Sequence, residues 1–240
     1  MHRVLEILAY FIGARLYWFY AKKYPRPLAW SDNLLILGSA VFGAMLGSKL
    51  LHIAEHFHAL ESQPVGVWLD GKSLLGGFLG GTLAVEIAKR AIGWTRSTGD
   101  AWVLPLTVGI VIGRIGCQMS GLWDQTYGNP TTLPWAWNYG DDIGRHPVAA
   151  YEILLVLVAY CFIRRLRGAQ GQRFAALMAS YCLIRLGLEF LKPPFAPAAE
   201  GTLDTRLLDG LTAIQWAAVA GLIYYGRSVV LLRRRPANPN

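Results

Sequence analysis

Seven apolar segments, each close to the ~20 residues a helix needs to cross a bilayer, constrain this chain more than any other feature. They run roughly over 4–21, 33–53, 74–93, 101–121, 147–163, 174–191 and 211–232. No stretch between them is long enough for a soluble domain. Composition agrees: 16% of residues are charged, against roughly 25% in soluble domains. The first segment lacks a small-residue cleavage site and reads as a span rather than a removable leader. The expected fold is all-α: one polytopic integral membrane domain over 1–240 with about seven transmembrane helices.

The net charge of +8 would suggest nucleic acid on a soluble protein. Here the cations cluster between apolar runs, which is a topology signal instead. Lys22, Lys23 and Arg26 follow span one, and Lys89, Arg90 and Arg96 follow span three. Arg164, Arg165, Arg167 and Arg173 follow span five; Arg227 and Arg233 to Arg235 close span seven. The positive-inside rule then places the N-terminus outside and the C-terminus in the cytoplasm. The loops 54–73, 122–146 and 192–210 face outward.

Small residues recur every fourth position: Ser39, Gly43 and Gly47; Gly77 and Gly81; Gly109, Gly113, Cys117 and Gly121. Such ladders let helix backbones approach in lipid, and they give Cys117 a packing role. The three cysteines match neither a disulfide framework nor a CxxC site. His52 and His56 are at i,i+4 with Glu55 between them, but the order is not His-Glu-x-x-His. No metal, cofactor or nucleic-acid partner is expected.

Against this background four cations stand out within or at the ends of spans: Arg15, Lys49, Arg114 and Arg185. A guanidinium at the bilayer centre costs at least ~2.5 kcal/mol by insertion scales. Snorkelling towards headgroups suits Arg15 and Lys49. Arg185 belongs to "YCLIRLGLEFLKPP" (181–194), where Tyr181, Arg185, Glu189 and Lys192 fall within about 80° of one helix face. Arg185 and Glu189 are spaced to pair. "GRHPVAAYE" (144–152) puts Arg145 and His146 at the mouth of span five, with Tyr151 and Glu152 a turn further in. His146 has an intrinsic pKa suited to proton transfer; a helix-start or headgroup contact is the alternative. The loop "WDQTYGNPTTLPWAWNYGDD" (123–142) reads as a lid over spans four and five, or as an interfacial aromatic belt. Lipid phosphate is the anion that best offsets Arg114 and Arg185, because a guanidinium fork binds its oxygens bidentately.

At these residues the chain resembles the prolipoprotein diacylglyceryl transferase family of bacterial inner membranes, over about 71–217. "GKSLLGGFLGG", with Gly76 and Gly77, is similar to its Gly-Gly segment. "GRIGCQMSG", with Gly113, Arg114, Gly116 and Gly121, is similar to its Gly-Arg-x-Gly motif. "RHPVAAYE" resembles its Arg-His-Pro…Tyr-Glu motif, "YCLIRLGLEFLK" its Tyr…Arg…Glu-Phe…Arg stretch, and "LTAIQW" its late Gly-Gln segment. The resemblance implies transfer of diacylglyceryl from phosphatidylglycerol to a lipobox cysteine thiol of a prolipoprotein, on the periplasmic side of the inner membrane. It implies that Arg114 and Arg185 hold the phosphate, with Tyr181 and Glu189 orienting them. Arg145, Tyr151, Lys192 and the glycines complete the substrate site. Where the family has a His before its Gly-Gly pair, this chain has Leu75; where an Asn follows Gly-Arg-x-Gly, it has Cys117. Ser120-Gly121-Leu122 replaces Asn-Gly-Glu, a short insertion carries Asp124, and Lys192 replaces an arginine. Proton removal then falls to His146, Asp124 or Glu152. The departures leave open a paralogue using another acceptor, and a non-catalytic phospholipid-binding protein.

Overall fold

In hydrocarbon a backbone must satisfy its own hydrogen bonds, and this computed structural model folds every one of the seven apolar segments as α-helix. They are α1 (His2–Ala21), α2 (Trp30–Leu60), α3 (Leu74–Ala91), α4 (Val103–Met119), α5 (Val148–Ile163), α6 (Gln172–Glu189) and α7 (Ala213–Arg233). The structure describes residues 2–24, 28–60, 68, 71–193, 195–198, 201–206 and 210–233, with side chains at all of these except 2–3, 58–60, 123–124, 195–198 and 201–204. Val4–Ala21, Trp30–Phe57 and Asp100–Met119 are long and apolar enough to cross a membrane; α5 is apolar but 16 residues long. α3, α6 and α7 carry more glycine and polar residues. The chain is thus an all-α membrane protein, with two small hairpins in its loops among the described residues. β1 (Trp137–Asn138) pairs antiparallel with β2 (Gly144–Arg145), and β3 (Phe195–Ala198) with β4 (Gly201–Asp204).

The chain forms two compact units. The second holds 26–96 and 194–221. In it α2 and α3 meet along glycines: a Cβ on Gly76 would strike the Gly47 carbonyl, one on Gly80 that of Gly43, and the converse holds for Gly47 and Gly43. The contact is therefore backbone on backbone, as small residues permit in lipid. Gly77 and Gly81 lie beside the seam, their Cβ positions 3.4 Å from the Ala44 carbonyl and 3.2 Å from that of Ala40. The predicted ladder is displaced by one residue on α3, and it fails on α4. Among the described residues no atom comes within 4 Å of a Cβ built on Gly109 or Gly113, so no described helix presses on these two glycines.

α7 begins with a reciprocal cap. Gln215 N–H donates to Thr212 Oγ1 (3.2 Å) and Thr212 N–H to Gln215 Oε1 (2.9 Å), a capping box. Glu55 Oε2 accepts the next orphan donor, Ile214 N–H, at 2.9 Å. These bonds explain Gln215 and a buried Glu55 without a ligand. Lys49 is not left to snorkel: its Nζ donates to Gly71 O at 2.8 Å.

The first unit holds α1, α4, α5 and α6. α6 starts at Gly171, which has φ +95° and offers no side-chain cap. Asp100, in the turn before α4, supplies one. Its carboxylate accepts from Gly171 N–H (2.7 Å) and Phe174 N–H (3.0 Å), placing negative charge at a helix N-terminus where the dipole favours it. Val103, Ile163 and Leu177 form the apolar core at this end. α4, α5 and α6 are thereby held side by side, and their opposite ends carry the site.

Candidate functional site

Glu152 stands at the centre. It lies in the first turns of α5, and is 1% exposed. Arg114, from the last turns of α4, brings Nε to 2.8 Å from its Oε1. Arg185, from α6, places a terminal nitrogen 3.1 Å from its Oε2. Tyr181 OH donates to Oε1 at 2.9 Å. Arg185 is also bound to Glu189 at 2.6 Å, and Lys192 Nζ lies 3.3 Å from the other Glu189 oxygen. Three helices thus contribute to one network, and its buried charges are paired as burial demands. Three cations face two carboxylates, which leaves one positive charge: enough for a single phosphodiester.

The stripe read on α6 is real, and Arg185 and Glu189 pair as their spacing predicts. What offsets Arg114 within the protein is Glu152, which sequence reasoning had placed among the proton acceptors. Both oxygens of that carboxylate are engaged by guanidinium or phenol, so it is a counter-ion. No spacing rule links residues 114, 152 and 185; the only hint was an acidic residue inside an apolar run.

His146 and Tyr151 form a second group. His146 Nδ1 lies 3.3 Å from Tyr151 OH, and that phenol accepts a bond from Trp135 Nε1 at 2.7 Å. Arg145 turns away from the buried network. It pairs with Asp141 at 2.6 Å and lies 5.0 Å over the Tyr127 ring. Its hydrogen bond holds the Asp141 carboxyl below its usual range, and the same bond raises Arg145. Gly121 has φ +65°, a backbone reason for glycine just past α4. Gly116 is buried, and its carbonyl accepts from the Ser120 hydroxyl at 2.7 Å. Gly76 belongs to the α2–α3 seam of the other unit, and Gly77 lies beside it. Leu75 is 1% exposed on α3. Asp124 lies in the turn Gly121–Asp124, but its side chain is outside the described residues. Arg15 is exposed. The His52 and His56 rings lie 4.5 Å apart and tilted by 36°, and no group of three potential metal ligands occurs among the described residues.

The loop between α4 and α5 is fastened to all three helix ends. Trp135 bonds to Tyr151 of α5, as above. Tyr139 OH donates to Gln118 Oε1 of α4 at 3.1 Å, and burial pushes the Tyr139 phenol up, so it stays a donor at neutral pH. Asn129 N–H donates to Leu191 O, just beyond α6, at 2.7 Å. These three fasteners were not legible as such in the sequence, which showed only an aromatic-rich loop.

The fold and the site thus define a helical membrane protein with a buried, net-positive Arg–Glu network. A family profile described as prolipoprotein diacylglyceryl transferase matches residues 4–231. The chain is 28% identical over 231 residues to the phosphatidylglycerol–prolipoprotein diacylglyceryl transferase of Aromatoleum aromaticum, covering 90% of this chain and 84% of that protein. It is 30% identical over 201 residues to the protein of the same name from Methylibium petroleiphilum (78% and 72% covered). It is 36% identical over 170 residues to that of Nitratidesulfovibrio vulgaris (65% and 62% covered). The chain belongs to the prolipoprotein diacylglyceryl transferase family.

Proposed function

We propose that this protein transfers diacylglyceryl from phosphatidylglycerol to the lipobox cysteine of a prolipoprotein, as the names of its relatives describe. The observation that carries this is the Arg114–Glu152–Arg185 network, whose single excess positive charge complements one phosphodiester. The chain acts as one transmembrane domain of seven spans, with the N-terminus outside, the C-terminus in the cytoplasm and the site facing the periplasm of the inner membrane. The loop 122–146 is its lid.

In the reaction the acceptor thiolate attacks the diacylglycerol carbon that bears the phosphoester. The C–S bond forms, the C–O bond breaks, and its electron pair leaves with glycerol phosphate. Arg114 and Arg185 stabilise the charge that grows on this leaving group. Glu152 and Glu189 hold the guanidiniums in place, and Tyr181 fixes Glu152. The thiol must first lose its proton, because the thiolate is the nucleophile. Leu75 has no proton-accepting atom and Glu152 is committed to the arginines. His146, at the mouth of α5 and oriented by Tyr151, takes the proton.

The test is direct. Purified protein in detergent is given phosphatidylglycerol and a lipobox peptide, and the peptide is read by mass spectrometry beside an assay for glycerol phosphate. A diacylglyceryl adduct lost in Arg114→Ala and Arg185→Ala supports the reading. Glycerol phosphate without peptide modification refutes the acceptor. His146→Ala with unchanged turnover at every pH removes His146 as the proton acceptor.

A further inference from the structure

Three buried side-chain nitrogens lack a hydrogen-bond acceptor among the described residues: Trp94 Nε1, Arg114 Nε and Gln118 Nε2. Two of them lie one turn apart on α4, on the same helix face. Arg114 has its charge balanced by Glu152 at 2.8 Å, yet its Nε–H is not aimed along a hydrogen bond. Gln118 is the more telling case. Its Oε1 accepts from Tyr139 OH at 3.1 Å, while its Nε2 has no hydrogen-bond partner among the described residues. A buried amide N–H without an acceptor is costly and uncommon in native proteins. Fastening Tyr139 needs only the oxygen, so the loop contact leaves the nitrogen unexplained.

We propose that Gln118 binds the headgroup of the phospholipid donor, its Nε2–H donating to a hydroxyl oxygen beside the phosphate that Arg114 and Arg185 hold. The identity of the ligand rests on the function proposed above. An uncharged donor suits an uncharged acceptor: the network's excess positive charge already answers the phosphate, and a polyol headgroup brings the hydroxyl oxygens. Gln118 therefore discriminates between headgroups of equal charge. Tyr139 acts through Gln118 and is a positioning residue.

The experiment uses the full chain in nanodiscs, with binding of phosphatidylglycerol and of phosphatidylethanol read by native mass spectrometry. The two lipids share the phosphodiester charge, and only the first has headgroup hydroxyls. The wild type prefers phosphatidylglycerol. Gln118→Met, similar in volume and without a donor, weakens phosphatidylglycerol about five- to tenfold, the loss expected of one neutral hydrogen bond. It leaves phosphatidylethanol unchanged. Gln118→Leu, also uncharged and without a donor, gives the same loss of preference and carries the test if the Met variant folds poorly. Tyr139→Phe narrows the preference by less. Soluble glycerol phosphate, which presents the same hydroxyls, competes less well against Gln118→Met than against wild type. Equal wild-type affinity for the two lipids, or equal weakening of both by Gln118→Met, overturns the proposal. If Arg114→Ala leaves both lipids bound as before, the phosphate role fails, while a Gln118-dependent preference still stands.

Discussion

Removing the Glu152 carboxylate would leave Arg114 and Arg185 facing one another in a low-dielectric interior. Breaking a buried pair by deleting one partner typically costs about 3–5 kcal/mol, because the orphaned charge stays buried. Glu152→Gln should therefore lower the unfolding midpoint in detergent by an amount of that order. Tyr181→Phe removes the 2.9 Å bond to the same carboxylate but keeps that carboxylate in place, and should cost about 1.5–3 kcal/mol, the range for a hydrogen bond to a charged group. A larger loss for Tyr181→Phe than for Glu152→Gln would contradict the central place given to the carboxylate. Asp141 gives a residue-scale prediction of another kind. The Arg145 hydrogen bond depresses its folded pKa. Its contribution to loop order is then complete above the unfolded value, about 3.9, and is lost as pH falls through the lower folded value. Hydrogen exchange across 128–146 should be flat, once corrected for intrinsic rates, from about pH 8 to about pH 5. Protection should fall only in stronger acid, and Asp141→Asn should abolish that acid step.

Helix contacts decide where a glycine matters. Gly76→Ala puts a methyl group against the Gly47 backbone, and overpacking of this kind costs about 1–3 kcal/mol. Gly109→Ala meets nothing within 4 Å and should leave the melting midpoint unchanged. Equal midpoints for the two variants would show that α2 and α3 are not in backbone contact. The sequence displayed both glycine series with the same spacing, so spacing alone could not rank them. The same limit applies to the helix starts. Thr212 and Gln215 have the separation of a capping box and were legible in principle. Asp100 caps a helix that begins more than seventy positions later, and no local pattern reports that.

At the scale of the whole molecule, the charge pattern fixes an expected topology. A C-terminal green fluorescent protein fusion should fluoresce and a C-terminal alkaline phosphatase fusion should be inactive; phosphatase inserted within 122–146 should be active. The reverse pattern would invert the membrane orientation and put the Arg114 network on the cytoplasmic side.

Helix number, helix position and the polar stripe on α6 all followed from the sequence. Each rests on a short-range rule: the length needed to cross a bilayer or a 3.6-residue turn. That Arg114 and Arg185 share Glu152 followed only from tertiary structure, as did the straps from Trp135, Tyr139 and Asn129. So did the division of the glycines between packing seams and open faces. These are contacts between helices distant in the chain, and a guanidinium takes the counter-ion that packing brings within about 3 Å, whatever its place in the sequence.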